Sequence, residues 1–591
     1  MRQLNASRII ILAILGLLLV PAFTPTIPPT HKPPVLVSYN PAPANSFHAP
    51  LSSAALISAL ISITGATPNL QSISAVSQSS NPSSLKTIQQ NALRFINDSS
   101  YFPQSETSIA VDPANPDHIL GAYNDAKYFF CPYLPLDCGS NVPTSISGFT
   151  TSTDGGNTVG KSSEIPNPDL TYAYLVAYGD PSVAPTVDGN FFYASLAINP
   201  FNRAFGNGVI ISKSNPDLFN PAISCNTPAS NPTSNPCWKT VFIYGSASFP
   251  VSSLEDKDRI SVDHNLSSPY YGSVYIGWDH FYNTGQSASY LARCDNNLAT
   301  CTMLSGGNQP ALSGTDQFAS WTTPTVDKNG NIHVAWCNFG TSTTFGPLNC
   351  RTTTSTPGGT NFTTPINILS YMGTGTDLPT DTVVLGWATE QYRTAPGLIS
   401  ITADPSPKTD NLYFTTTVCT AGHYYAPTRP APLLAPDNPG DCGQSAILLS
   451  KSTDNGQTWS NPTTLSHPAV NDQPYLTVDT QTGTLHIVYY TTQYDPFNHR
   501  IDVVTSTSNN AGRTFTQQRL TSVSNEPDSD PNMYNYLQGG FGGSFVLPQY
   551  GDYFEATATG GNLRVLFTAN YAVEAGTFQT DPFLISIKQN S

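Results

Sequence analysis

The chain has 591 residues with 24 Lys+Arg against 39 Asp+Glu, a formal charge of −15, which excludes the clustered basic surface that nucleic-acid binding needs. Only 11% of residues are charged, well below the roughly 25% of an average globular domain. Ser, Thr, Asn and Gln therefore solvate the surface, which suits an extracellular setting and changes little with pH or salt.

At the N-terminus, Arg2 and Arg8 precede an uninterrupted apolar run over residues 9–20. That run has the length of a secretion-signal core and is short for a membrane span, so residues 1–23 read as a signal peptide or, alternatively, a short anchor. Residues 24–103 are rich in Pro, Ser and Ala and show no sustained strand pattern, which predicts a linker or stalk with one short helix near residues 53–63. The ordered part is expected to run from Gln104 to the end, residues 104–591.

Within it one pattern recurs: an apolar run ending in Val-Asp or similar, a turn, then an alternating apolar strand. The copies centre on Asp112, Asp188, Asp263, Asp327, Asp404 and Asp479, with successive spacings of 76, 75, 64, 77 and 75, and a worn seventh copy begins at Tyr553. β-Branched and aromatic runs flanking Asp, Asn, Gly or Pro turns are hairpins. A further strand pair per repeat makes four, so the fold class is all-β, a β-propeller of four-stranded blades. Seven blades are the simplest count; six and eight stay open. A string of separate small sandwiches is disfavoured because no linkers separate the repeats and a closed ring removes edge strands.

A second repeat reads STDGGNTV at residues 152–159, STDNGQTW at 452–459 and, loosened, SNNAGRTF at 508–515. It resembles the Asp box, or BNR repeat, of sialidases and related propellers. The resemblance extends over roughly residues 104–588, where DKDRISVD and DQPYLTVD look like bacterial and archaeal secreted sialidase-like proteins. It implies that Ser152, Asp154, Gly156, Ser452, Asp454, Gly456, Trp459, Asn510, Gly512 and Phe515 are structural turn residues on the face away from the ligand. Their chemistry agrees: Ser and Asp satisfy turn backbone, Gly tolerates positive φ, and the aromatic ring packs between sheets.

In a propeller the segments leading into each innermost strand line the mouth of the central channel. Here they carry Glu106, Asp180, Asp256, Lys257, Asp258, Arg259, Tyr392, Arg393, Asp472, Tyr550 and Asp552. Convergent carboxylates, Arg and Tyr suit a polyhydroxylated or acidic sugar; the competing reading is a turn-capping acid repeated with the blade. The resemblance would require three arginines, a Tyr nucleophile with a Glu partner and an Asp acid/base. The Arg-Ile-Pro signature is missing from the first blade, the nearest arginine being Arg94 in LRFIND, and seven blades depart from the six of true sialidases. Arg259, Arg351 and Arg393 are the candidates for a basic cluster. No catalytic residue is assigned.

Ten cysteines fall as close neighbours, Cys131 with Cys138, Cys225 with Cys237, Cys294 with Cys301, Cys337 with Cys350 and Cys419 with Cys442. An even count in an exported chain predicts disulfides, here five local ones, and the CxxC pairs of a zinc site are lacking. Sequons stand at Asn5, Asn97, Asn265 and Asn361, the first inside the signal. No cofactor is required, though Asp528 and Asp530, with Glu526 and Asn532, alternate oxygens as a Ca2+ loop does; a solvated acidic loop is the competing reading. Three functions stay in play: a secreted or surface-tethered module binding extracellular glycans or glycoproteins, an exo-glycosidase of sialidase type, and a structural protein of the cell envelope. Membrane contact would come only through an uncleaved N-terminus.

Overall fold

The alternating runs form strands, and the strands assemble into four-stranded antiparallel blades arranged as a ring. The computed structural model describes residues 86–87, 91–97, 103–130, 144–168, 175–198, 207–228, 231–246, 253–372, 382–384, 392–393, 398–421, 441–526 and 550–588, apart from 283, 285, 317, 342–343, 407–408 and 575–576. Blade one consists of Gln104–Val111, Ile119–Asp125, Ser147–Ser152 and Ser162–Glu164. Blade two is Ser182–Pro185, Phe191–Ile198, Asn207–Ser214 and Trp238–Ser246, with Val176–Ala177 beside the second strand. Blade three is Ser253–Val262, Val274–Tyr282, Ser287–Cys294 and Cys301–Ser305; blade four is Ala319–Val326, Ile332–Thr341, Thr344–Ser355 and Ile366–Tyr371. Blade five is Ile399–Ala403, Leu412–Ala421, Gln444–Ser452 and Thr463–Thr464; blade six is Asn471–Val478, Leu485–Thr491, Asp502–Ser508 and Thr516–Arg519.

Blade seven is built from both ends of the described chain. Glu555–Thr559, Asn562–Glu574 and Thr577–Lys588 follow in order, and the outermost strand is Leu93–Arg94, paired with Leu584 and Phe583. This strand falls inside the segment read from composition as linker, so the ordered part begins before Gln104. Two residues are too short to show a strand periodicity. Their place is set by Phe95, fully buried behind them with Leu566 and Leu584.

Among the described residues the buried apolar side chains fall into seven clusters, one in each seam between neighbouring blades. The last of these joins Ile109, Val111 and Ile119 of blade one to Leu566 and Leu584 of blade seven, which closes the ring. The recurring Asp of the hairpins has a local cause. Asp112, Asp263, Asp327, Asp404 and Asp479 each accept, at 2.8–2.9 Å, the backbone N–H two residues on, the Asx turn that suits Asp.

The innermost strands are stitched across the seams by hydroxyls. Ser108 accepts from Val183 N at 3.0 Å, Ser182 from Ile260 N at 3.2 Å, Ser261 from Val326 N at 3.1 Å, Thr325 from Ala403 N at 3.3 Å, Ser400 from Leu476 N at 3.1 Å and Thr477 from Ala558 N at 3.1 Å. Ser400 and Leu476 are both buried, so Ser400→Ala strands an N–H away from water. The expected loss is about 1–3 kcal/mol, to be read by urea unfolding; a loss below about 0.5 kcal/mol would show that the stitch carries no stability.

Three disulfides are formed. Cys225–Cys237 and Cys294–Cys301 brace connections between third and fourth strands, and Cys337–Cys350 ties the second strand of blade four to its third. Cys419 is disulfide-bonded as well. Cys131 and Cys138 lie outside the described residues, as do the predicted helix near residues 53–63, the N-terminal apolar run, and Asp528 and Asp530.

Candidate functional site

The innermost strands share one irregularity at their lead-in ends. Register slips between Ser105 and Ser108, Asp256 and Arg259, Ser320 and Thr323, and Asp472 and Tyr475. A left-handed residue marks the same place: Glu106 (φ 53°), Asp180 (55°), Lys257 (58°), Trp321 (64°), Gln473 (53°) and, in blade seven, Gly551 (77°). Side chains rarely adopt this conformation, and such outliers collect at functional sites. At Gly551 a Cβ would stand 2.0 Å from the Glu106 side chain, so blade seven yields the space that Glu106 fills.

These bulges gather a buried polar group. Glu106 accepts from Asn124 Nδ2 at 2.5 Å and from Asp552 N at 3.1 Å, while Asn124 Oδ1 accepts from Asp180 N at 2.9 Å. Lys257 Nζ lies 2.8 Å from Asp256 and 5.0 Å from the Trp321 ring centre. The Arg259 guanidinium stacks on Tyr553 at 3.6 Å, and the Tyr553 hydroxyl donates to Pro181 O at 2.8 Å. Asp279 is saturated, accepting from Ser320 Oγ, Trp321 N, and Thr322 N and Oγ1 at 2.6–3.0 Å. By contrast, Asp180 and Asp258 are fully buried with few partners: Asp180 shares a hydrogen bond with the Glu106 carboxyl, Asp258 meets its own backbone N–H, and no other donor among the described residues reaches them.

Glu555 breaks the pattern of the stitched ring. In the seventh seam it stands where the other six have Ser or Thr, taking the Ser108 hydroxyl and the Ile109 N–H.

Electrostatics follows from crowding carboxyls around two cations out of water. Burial, then the charges of Glu106 and Asp256, push Asp180 well above the usual carboxylate range. Burial does the same to Asp258 against the pull of Arg259. Burial raises Glu555 to about 7, opposed by Arg259 and the Ser108 hydroxyl, and Asp279 to about 6, opposed by Lys257. Lys257 is raised: burial would lower it, but Asp256, Asp552 and Asp279 outweigh that. The group therefore holds carboxylic acids near neutral pH beside a permanent guanidinium, a combination able to donate protons and hydrogen bonds together.

Of the residues singled out in the sequence, Glu106, Asp180, Asp256, Lys257, Asp258, Arg259 and Asp552 come together here. Asp472 and Tyr550 stand at the lead-ins of blades six and seven; Asp472 accepts from Gln473 N at 2.8 Å and the Tyr550 hydroxyl bonds Asn525. Arg351 does not join them. It sits on the third strand of blade four, away from the centre, and pairs with Asp316 at 2.9 Å. Tyr392–Arg393 form a strand in a small sheet with Thr382–Val384 and Asp441–Cys442, and their side chains fall outside the described residues. Arg94 is in the outer strand of blade seven, paired with Asp581. Among the described residues no group of three or more His, Cys, Asp or Glu is arranged to hold a metal ion.

Tyr553, Glu555, Asp279, Trp321 and Ser108 were not singled out. No local signal marked Glu555, since the innermost strands of blades one, three and six carry carboxylates as well: Glu106, Asp256, Asp258 and Asp472.

The Asp-box-like turns lie at the opposite end of the blades, beside the hairpin turns, as Gly155 N to Asp117 O (3.1 Å) and Asn455 N to Asp410 O (3.2 Å) show. Asp154 and Asp454 each accept from the backbone N–H and hydroxyl four residues on, Thr158 and Thr458, at 2.5–2.9 Å. Asn510 repeats this with Thr514, accepting its N–H and donating to its hydroxyl. Trp459 packs edge-on to Phe414.

No protein-family model and no curated protein matches the sequence. Structural similarity is found to a Hadza microbial sialidase, at 12% identity and TM-score 0.37, over 71% of this chain and 66% of that one. It is found also to an α-L-arabinofuranosidase of Fusarium graminearum, at 8% and 0.38 over 71% and 98%, and to the polysaccharide lyase Uly1, at 8% and 0.42 over 80% and 88%. TM-scores this far below 0.5 assign no activity.

Proposed function

We propose that the protein recognises extracellular glycans through the polar group at the channel mouth. The observation that carries this reading is the pair Asp180 and Asp258, whose buried carboxyls meet only the Glu106 carboxyl and the backbone N–H of Asp258 itself and are reached by no other donor among the described residues. Buried polar atoms are nearly always satisfied, and sugar hydroxyls are donors of the right kind. Because these groups are closed to solvent here, binding is accompanied by opening of the lead-in segments, and association is slower than for a preformed site. The disulfides favour an oxidising compartment, as such a role requires.

A second reading, hydrolysis of a glycoside, is favoured by Glu555 at about 7 close to the Arg259–Tyr553 stack. A carboxylic acid titrating there suits general acid catalysis near neutral pH. Both readings are tested by assaying the full chain on a glycan array and a panel of chromogenic glycosides, with Asp180→Asn and Asp258→Asn alongside. The expected result is glycan binding weakened about tenfold or more by either substitution with folding intact, since each removes a buried acid that few protein donors satisfy. Release of chromophore lost in Glu555→Gln would support hydrolysis. Absence of binding on the whole array, or binding indifferent to both substitutions, would sink the proposal.

A further inference from the structure

Strand alternation separates a second polar cluster from the first. Asp256 and Asp279 are cross-strand partners on the face of blade three that meets blade four, through Ser320 and Trp321. Their neighbours Glu255 and His280, also paired in register, therefore fall on the other face, toward blade two.

There the Glu255 carboxylate is buried and accepts from Trp278 Nε1 at 2.7 Å, and it lies 3.0 Å from His280 Nδ1 through either oxygen. The His280 ring stacks flat on Tyr290 (centroids 4.3 Å, 4°), with Tyr282 edge-on at 4.5 Å and Tyr244 at 6.1 Å. Tyr282 and Tyr290 join their hydroxyls at 3.2 Å. In its neutral form the imidazole keeps its proton on Nδ1 toward the carboxylate and leaves Nε2 as a bare lone pair. The ring is buried but for a small part of its surface, and Nε2 has no hydrogen-bond partner among the described residues, while Tyr244 and Tyr282 are half-buried.

A fixed acceptor beside half-buried aromatic rings is a constellation for a sugar ring: the apolar face rests on the aromatics and a hydroxyl donates to the lone pair. The buried Glu255 carboxyl and, on the neutral imidazole, the lack of a second donor disfavour a carboxylate-bearing sugar. The geometry points to a second carbohydrate subsite, in which a neutral sugar unit donates a hydroxyl to His280 Nε2 and packs on Tyr282 and Tyr244. This rests on the glycan reading above, extends it to chains longer than one unit, and names the chemistry of the added unit.

The test is calorimetric titration of the full chain with neutral cello-, xylo-, manno- and malto-oligosaccharides of rising length and with uronate oligosaccharides, repeated on His280→Gln and Tyr282→Ala. In the neutral series that binds, affinity is expected to rise about tenfold with added units. Both variants should lose that gain and keep the affinity for the single sugar. On titration with the bound oligosaccharide, the 15N signal of His280 Nε2 should move and Nδ1 should stay protonated. A length-dependent gain intact in both variants, tighter binding of uronates than of neutral chains, or no binding by any neutral series would overturn the inference. Failure of the central site is separately visible, as Asp180→Asn leaving single-sugar affinity unchanged.

Discussion

The midpoint of thermal unfolding is expected to fall as pH rises from about 5 to about 8, opposite to the behaviour of a protein held by exposed carboxylate pairs. The cause is the set of buried acids, most of them at the lead-ins of the innermost strands. Glu555 is raised from 4.5 to about 7, so between those values the folded chain keeps a proton that the unfolded chain has released. Stability is then lost as pH climbs through that window and levels off above it; for Glu555 alone the loss is roughly 3 kcal/mol. Glu164, raised to about 7 by burial, and Asp279, raised to about 6, act in the same sense, as do Asp180 and Asp258. Acids with lowered values act the other way. Asp188, held at about 2 by Lys213 and Thr186 despite its partial burial, stabilises above the ordinary Asp range and loses that effect only as pH falls toward 2. The optimum therefore lies on the acid side. Glu555→Gln keeps an oxygen for Ser108 and Ile109 but cannot titrate, and should flatten the decline. Calorimetry across the range decides: a midpoint level or rising between about pH 5 and 8, or an unchanged slope in Glu555→Gln, would contradict the protonation assigned here.

Arg94→Ala is expected to destabilise the whole ring, by about 3–5 kcal/mol. The two-residue strand Leu93–Arg94 fastens blade seven by a bidentate pair, Arg94 Nε to Asp581 at 2.7 Å and Nη2 at 3.0 Å, with Asp581 fully buried. Phe95 N donates to Pro582 O at 2.8 Å and its ring fills the closing seam. Removing the guanidinium takes a bidentate cationic partner from a buried carboxylate, which costs more than the pair contributes over an apolar substitute. The double variant Arg94→Ala with Asp581→Ala should accordingly recover more than half of the loss, and deleting the chain through residue 97 should cost more than either. Urea unfolding provides the measure. A loss below about 1 kcal/mol in Arg94→Ala would place the closure of the ring elsewhere, since exposed pairs contribute no more than that.

Legibility of this fold followed the range of the signal. Asp112, Asp263, Asp327, Asp404 and Asp479 marked the hairpins because an Asx turn is made within three residues. Cys294–Cys301 and Cys337–Cys350 were readable because antiparallel neighbours bring close cysteines together, and Cys225–Cys237 because it closes a single short connection. The acids at the lead-ins were visible as a recurring position, Arg351 was misplaced because spacing carries no information on which strand faces the channel, and His280 passed unnoticed because one scattered histidine has no motif.

By itself the sequence determined the period, the strand count, the turns and the polar lead-ins, since each is encoded over a few residues by propensity and hydrogen bonding. Only the tertiary structure decided which segment closes blade seven, that Glu555 meets Ser108 across 447 positions, and that Asp256 and Glu255 serve different faces. Ring closure joins the two ends of the chain without any local pattern, and burial, a property of the assembled seams alone, sets which of the gathered carboxyls keep their protons.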